Sequence, residues 1–295
     1  MTRLSPGRAS WKAIVAIPLL FAAAAFLQVR IDAQTRSDGA QQEQLLVSSG
    51  ALLKKLSLGY DPLLADIYWT RAVQYYGTRV GEGHGDFALL DPLLNISTTL
   101  DPHLIIAYRF GAIFLSEPKP IGDGRTDLAI QLVKRGVAAN PNEWRLDYDL
   151  GLLYYWRLKD YQPAAAAFLA GSNVPGAPFM TLKLMAASVA EKGGSIETSR
   201  MIFAELYQST KDPEVQKMAL KELRALKAQE DEMHLDQIVR EYEKRFRRKP
   251  ASIQELISAR LLRGSPVDPA GYPYEIGPDG KSRLDPRSPI KPPDQ

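Results

Sequence analysis

The pattern that most restricts this chain is a helical one. From about residue 41 to about residue 262, apolar side chains recur three or four places apart, and Gly or Pro falls mainly between those stretches. Before residue 265 nothing alternates apolar and polar residues as a half-buried strand would. These boundaries predict helices over roughly 41–56, 61–79, 86–99, 103–116, 125–139, 143–157, 160–171, 177–191, 195–209, 213–229, 231–247 and 252–262. Helices so short and so closely spaced suggest paired hairpins, and they call for a test of internal repetition.

The punctuation supplies one. Asp101-Pro102, Asn140-Pro141, Val174-Pro175 and Asp212-Pro213 each close one helix and open the next pair, with prolines 39, 34 and 38 residues apart. In the clearest unit, Asp147, Leu150, Gly151, Tyr154, Ala164, Phe168 and Pro175 resemble the tetratricopeptide pattern of a large residue, Leu-Gly, Tyr, Ala, Phe and Pro. Ala164 and Phe168 fall one place late, as if the turn near Lys159-Asp160 were one residue longer. In the preceding unit Gly111 and Phe114 take the Gly and Tyr places, and the run from Ala129 resembles a second helix. The resemblance covers about residues 86–210, and an irregular α-solenoid of another type is the competing reading.

The resemblance implies an all-α solenoid whose first helices line an extended concave face. Carried over position by position, it assigns Arg145, Tyr148, Leu152, Tyr155 and Trp156 to that face in the clearest unit, and Ile105, Tyr108, Ala112, Leu115 and Ser116 in the unit before. Further upstream, Tyr68, Arg71 and Tyr75 share one helix face by spacing alone. Aromatic residues with an Arg suit recognition of a protein or peptide, because they bury much area and keep hydrogen-bonding tips. The competing reading is that such a stripe is core, and the solenoid itself needs Phe114, Tyr154 and Phe168 inside.

A second feature is local. Residues 13–29 read AIVAIPLLFAAAAFLQV without a charge, a helix length of about 26 Å that can just cross a hydrocarbon core. Arg3, Arg8 and Lys12 precede it unopposed, whereas Arg30, Asp32 and Arg36 follow with mixed sign, so the N-terminus is expected in the cytoplasm. A cleaved export signal is the alternative, but Ile31 fits its cleavage site poorly and the apolar run is long for one. Either reading exports the body, in a bacterial setting to the periplasmic side of the inner membrane. The resulting division is 1–30 N-terminus and anchor, 31–44 polar linker, 45–248 helical repeats, and 249–295 a different C-terminal segment.

Composition narrows the chemistry. The chain has 295 residues, no Cys and 3 His, so disulfides, thiolate metal sites and Cys nucleophiles are excluded. The stretch GEGHGD (81–86) lacks the strand and the Gly-Lys-Ser/Thr ending of a phosphate loop, and it reads as an inter-helix loop with no metal. His103 and His234 have no His partner one turn away, and Asp147 and Asp149, two residues apart on a helix, diverge. No cofactor, metal or enzymatic activity is expected, and a carboxylate-dependent hydrolase is the weaker alternative. A net charge of +3 supplies no nucleic-acid surface. The expected partner is a protein or peptide, with a permanent subunit of a membrane complex as the other reading.

The C-terminal segment changes character. Ser252 and Glu255 form a capping box for a short helix ending at Gly264, Asp268-Pro269-Ala270-Gly271 reads as a turn, and Tyr272–Ile276 with Ser282–Leu284 suit a small hairpin. About 30 residues here resemble the C-terminus of the general-secretion major pseudopilins, through Leu256, Leu262, Pro266, Asp268, Pro269, Gly271 and Tyr274. The chain lacks a prepilin start, so the segment is expected to act as a cap on the last helices.

Overall fold

The structure, a computed structural model, describes residues 49–83 and 85–291 together with Leu19, Ala22, Ala23, Ala25, Phe26 and Leu27. The linker and most of the apolar run lie outside the described residues. Two units divide at Val47/Ser48, and the second holds the body. Among the described residues no helix is long and apolar enough to cross a membrane.

The body is almost entirely helical. It contains α1 (Gly50–Leu56), α2 (Asp61–Gly81), α3 (Leu90–Leu100), α4 (Ile105–Ser116), α5 (Thr126–Ala139), α6 (Trp144–Leu152, continued to Leu158), α7 (Tyr161–Ser172), α8 (Phe179–Lys192), α9 (Ile196–Ser209), α10 (Pro213–Phe246) and α11 (Ile253–Ser258). From α2 to α10 each helix packs against the next in the chain, α1 packs on α3, and α4 also touches α6. The helix starts follow from local chemistry. Ser49 accepts the Leu52 N–H, Asp212 accepts the Glu214 N–H, and Pro62 and Pro213 occupy first-turn positions that need no donor.

Small residues set the spacing. A Cβ at Gly151 would stand 2.5 Å from the Phe168 ring, one at Gly111 2.8 Å from Leu94, and one at Gly136 2.8 Å from Tyr108. Without a side chain at these points α6 meets α7, α4 meets α3, and α5 meets α4 at close range, and Phe168 is 1% exposed. Phe114 lies at the surface of the core, half-buried and stacked 3.9 Å from Tyr76. The punctuating turns also meet: the His103 ring Nδ1 and Asn140 Oδ1 are 2.8 Å apart, and Asn140 Nδ2 donates to the Pro102 carbonyl.

Four local features differ from the sequence reading. The helices expected over 213–229 and 231–247 are one 34-residue helix, α10, because Gln229-Glu230-Asp231 holds no Gly or Pro and Lys227 pairs with Asp231 one turn on. The last helix stops at Ser258, with Arg260 at positive φ, well before Gly264. Ser252 makes no side-chain cap, its carbonyl instead accepting the Glu255 N–H at 3.2 Å, while the Glu255 carboxylate accepts from Tyr242 Oη and Arg248 Nη1 at 2.8 and 2.6 Å. Where a longer turn near Lys159-Asp160 is expected, the helix instead widens into a π-helical turn over Leu153–Leu158, which the left-handed Lys159 closes.

The C-terminal segment folds against α10. Strands β1 (Glu275–Ile276) and β2 (Ser282–Arg283) pair antiparallel, with Glu275 opposite Arg283. In the Asp268 turn, Asp268 Oδ1 accepts the Ala270 and Tyr272 N–H groups at 2.8 and 2.9 Å, and Gly271 takes φ +89, which a Cβ would strain. Burial works against the Asp268 charge, but these donors and the Ser288 hydroxyl hold its carboxyl below the usual range. Tyr274 is buried at 3% exposure with its hydroxyl 3.4 Å from Asp231, and Ser282 N and Oγ both donate to Asp236 Oδ1 at 2.8 Å.

Candidate functional site

Three helices, α4, α6 and α8, border two clefts. One, of about 390 Å³, lies between α4 and α6, and the other, of about 430 Å³, lies between α6 and α8. Leu152 and Trp156 line both, so α6 is the wall between them. Trp156 is 61% exposed, and Tyr155 meets it edge-on at 5.0 Å. The π-helical turn carries Tyr155, Trp156 and Arg157, and it is what sets their direction relative to Leu152.

The apolar lining is substantial. Ile113 of α4 is 48% exposed in the first cleft, and it continues a stripe with Ile106 and Phe110 at helical spacing. Leu184 and Met185 of α8 line the second. The four charged residues of the first cleft are already matched. Arg109 Nε donates to Asp149 Oδ2 at 2.6 Å and Nη2 to Oδ1 at 3.3 Å, while Arg157 pairs with Glu117. Burial pushes the Asp149 carboxyl above its usual range despite the opposing pull of Arg109, and the bond to Asp149 raises the Arg109 guanidinium.

The sequence-assigned positions divide. Leu152, Tyr155 and Trp156 reach the clefts. Tyr108 and Tyr75 do not: they are 2% and 5% exposed, Tyr108 packed on Gly136 and Tyr75 with its hydroxyl 3.4 Å from the Asp86 carbonyl. Both are core, because their helix faces meet the chain that follows, α5 for Tyr108 and the turn into α3 for Tyr75. Tyr148 packs on Phe168 at 5.9 Å, and Arg145 is drawn away by Glu143 (2.9 Å) and the Trp144 ring. Tyr68 and Arg71 meet each other, the guanidinium 5.6 Å from the ring centre, on α2, outside both clefts. Ile105 is half-buried at the start of α4 and also lies outside them. Ala112 and Ser116 line the first cleft, whereas Leu115 is buried in the core.

Sequence reasoning missed Arg109, Ile113, Glu117, Arg157, Leu184 and Met185, and it named Asp149 only as a candidate catalytic carboxylate, not as the partner of Arg109. A signal was present for four of them. Arg109 and Asp149, and likewise Glu117 and Arg157, stand 40 residues apart with opposite charges, a spacing set by the long α4–α5 connection rather than by a 34-residue unit. Asp147 is buried against Gly171 while Asp149 turns to Arg109, so the two carboxylates do not converge. His84 lies outside the described residues, and among the described residues no three His, Asp or Glu side chains gather as metal ligands. Set against protein-family models and curated proteins, the chain matches none.

Proposed function

We propose that this chain is a non-enzymatic, membrane-anchored adaptor, a tetratricopeptide-type α-solenoid that holds a segment of another protein in the groove of α4, α6 and α8. Consecutive helix packing and the close approaches at Gly111, Gly136 and Gly151 support the solenoid reading. The observation that carries the function is Trp156, left 61% exposed on the wall shared by two apolar clefts. An aromatic side chain in that position gives a partner a large rigid contact at small entropic cost, as interface anchors do.

Residues 13–29 serve as the anchor in this reading, with the N-terminus in the cytoplasm and the body on the periplasmic side of a bacterial inner membrane. Confinement to the membrane raises the effective concentration toward partners of the envelope, such as assembly or secretion machinery. The test is photo-crosslinking in intact membranes from a reactive group placed at Ile113. The reading expects a discrete adduct that Trp156→Ala weakens while helicity is unchanged. No adduct above that from a site on α9 would overturn it, and one stoichiometric adduct that Trp156→Ala leaves intact would favour a permanent subunit.

A further inference from the structure

The two ends of the helical body are finished differently. At the C-terminal end the Asp268 turn and the hairpin lie over α10, with Tyr274 and Ser282 bonded to it. At the N-terminal end the α1–α2 turn leaves its apolar side chains in solvent: Leu56 is 63% exposed, Leu58 89%, Tyr60 66% and Leu63 56%. Leu52 and Ile67 extend the same patch along α1 and α2. A stacked array ordinarily closes its ends with polar residues, so an apolar tip needs another occupant.

The tip is also firmly built. Ser57 is buried, its hydroxyl donates to the Lys54 carbonyl at 2.8 Å and bonds the Asp61 carboxylate, and the Tyr60 N–H closes the turn on the Ser57 carbonyl. Leu58 sits at φ +52, a left-handed conformation that a leucine adopts at a cost, and Gly59 follows at φ +90. The turn therefore holds a large apolar side chain outward. Lys54 and Lys55 lie exposed beside it, Lys54 with Nζ 3.4 Å from the Thr99 carbonyl, while Asp61 is engaged by Ser57 and Asp66 lies farther along α2.

The position of the tip in the chain sets how far it can lie from the apolar run. The apolar run ends at Val29 and the described body begins at Ser49, so 19 residues link them, about 65 Å even at full extension. We propose that the α1–α2 turn is a superficial membrane contact, with Leu56, Leu58, Tyr60 and Leu63 in the interfacial layer of the bilayer and Lys54 and Lys55 toward anionic headgroups. Apolar side chains with an interfacial Tyr and flanking Lys are the composition such contacts use. The contact rests on the anchor reading. It would fix the orientation of the body against the membrane instead of leaving it to swing on its linker.

The chain has no Cys, so one introduced thiol can carry a unique environment-sensitive fluorophore. Full-length Leu58→Cys, Leu63→Cys, Phe21→Cys and Gln208→Cys would be labelled with nitrobenzoxadiazole and reconstituted in phosphatidylethanolamine–phosphatidylglycerol vesicles, with and without brominated acyl chains. Bromolipid is expected to quench the labels at 58, 63 and 21 by about twofold or more and to leave that at 208 unchanged. Quenching at 21 alone overturns the tip contact and leaves the anchor standing. Absence of quenching at 21 removes the anchor and the tip contact together. A label at 58 that is shielded from aqueous iodide but not quenched by bromolipid means that protein covers the tip, which also overturns the proposal.

Discussion

Arg109 and Asp149 stand 40 residues apart on α4 and α6 and meet through two parallel hydrogen bonds, while Glu117 and Arg157, also 40 residues apart, repeat the link with the charges exchanged. The two rungs tie α4 and its C-terminal end to α6 and its continuation, and they leave the first cleft with matched charges. What remains available to a partner there is apolar surface, so its recognition is expected to depend weakly on salt.

Arg109→Met should destabilise the body by about 1–2 kcal/mol at neutral pH, a figure already reduced for the partial exposure of Arg109. Burial has raised the Asp149 carboxyl in the folded state, and loss of Arg109 raises it further. A carboxyl raised on folding contributes stability below its unfolded pKa and loses that contribution as pH rises through its folded pKa. The variant should therefore approach the parent as pH falls from 7 toward about 4. Thermal melts across that range decide the matter, and a gap that widens in acid would count against it.

Gly151→Ala should cost about 1–3 kcal/mol in chemical denaturation, because its Cβ would meet the Phe168 ring at 2.5 Å. Adding Phe168→Leu is expected to recover part of the loss, since the clash is with the ring rather than with backbone. If the loss in the double variant equals or exceeds the sum of the singles, the two residues are not coupled in this way.

Tyr148→Ala and Trp156→Ala should separate stability from binding. Tyr148 packs on Phe168, so its truncation should lower the unfolding free energy by about 2–4 kcal/mol. Trp156, 61% exposed, should change it by less than about 1 kcal/mol while weakening partner capture. Denaturation curves of the two variants, read beside crosslinking yields, test the distinction.

Asp285 reports on the C-terminal cap. Hydrogen bonds from the Arg287 side chain and backbone hold its carboxyl down at about 2. A depressed carboxyl stabilises the fold above its unfolded pKa, about 4, and loses that contribution as pH falls toward its folded value. Asp285→Asn should thus melt earlier than the parent at neutral pH and converge on it between about pH 4 and about pH 2. Carboxyl NMR of Asp285 checks the same window directly.

The helical class was legible in the sequence because apolar spacing and Gly or Pro punctuation act locally, and the short hairpin was legible because Gly277 and Gly280 bracket its turn. The unbroken α10 was not, since polar residues at 229–231 look like a loop although nothing there prevents a helix. Along the two clefts, Leu152, Tyr155 and Trp156 coincide with positions that the tetratricopeptide resemblance picks out in the sequence. Tyr75 and Tyr108 did not, because an aromatic residue reads the same in sequence whether its helix face meets a neighbour or solvent. The charged rungs joined residues on separate helices, and their spacing depended on a connection whose length no pattern within one helix records.

The wide turn at Leu153–Leu158 stores one residue inside a helix instead of in a loop. In an α-helix each residue advances the direction of the side chains by about 100°, so deleting a single residue there would swing Trp156 and Arg157 to another bearing. The groove can thus be remodelled by chain length alone, with the amino acids that form its walls left unchanged. On the proposed function, a one-residue insertion or deletion in this turn would act as a change of specificity.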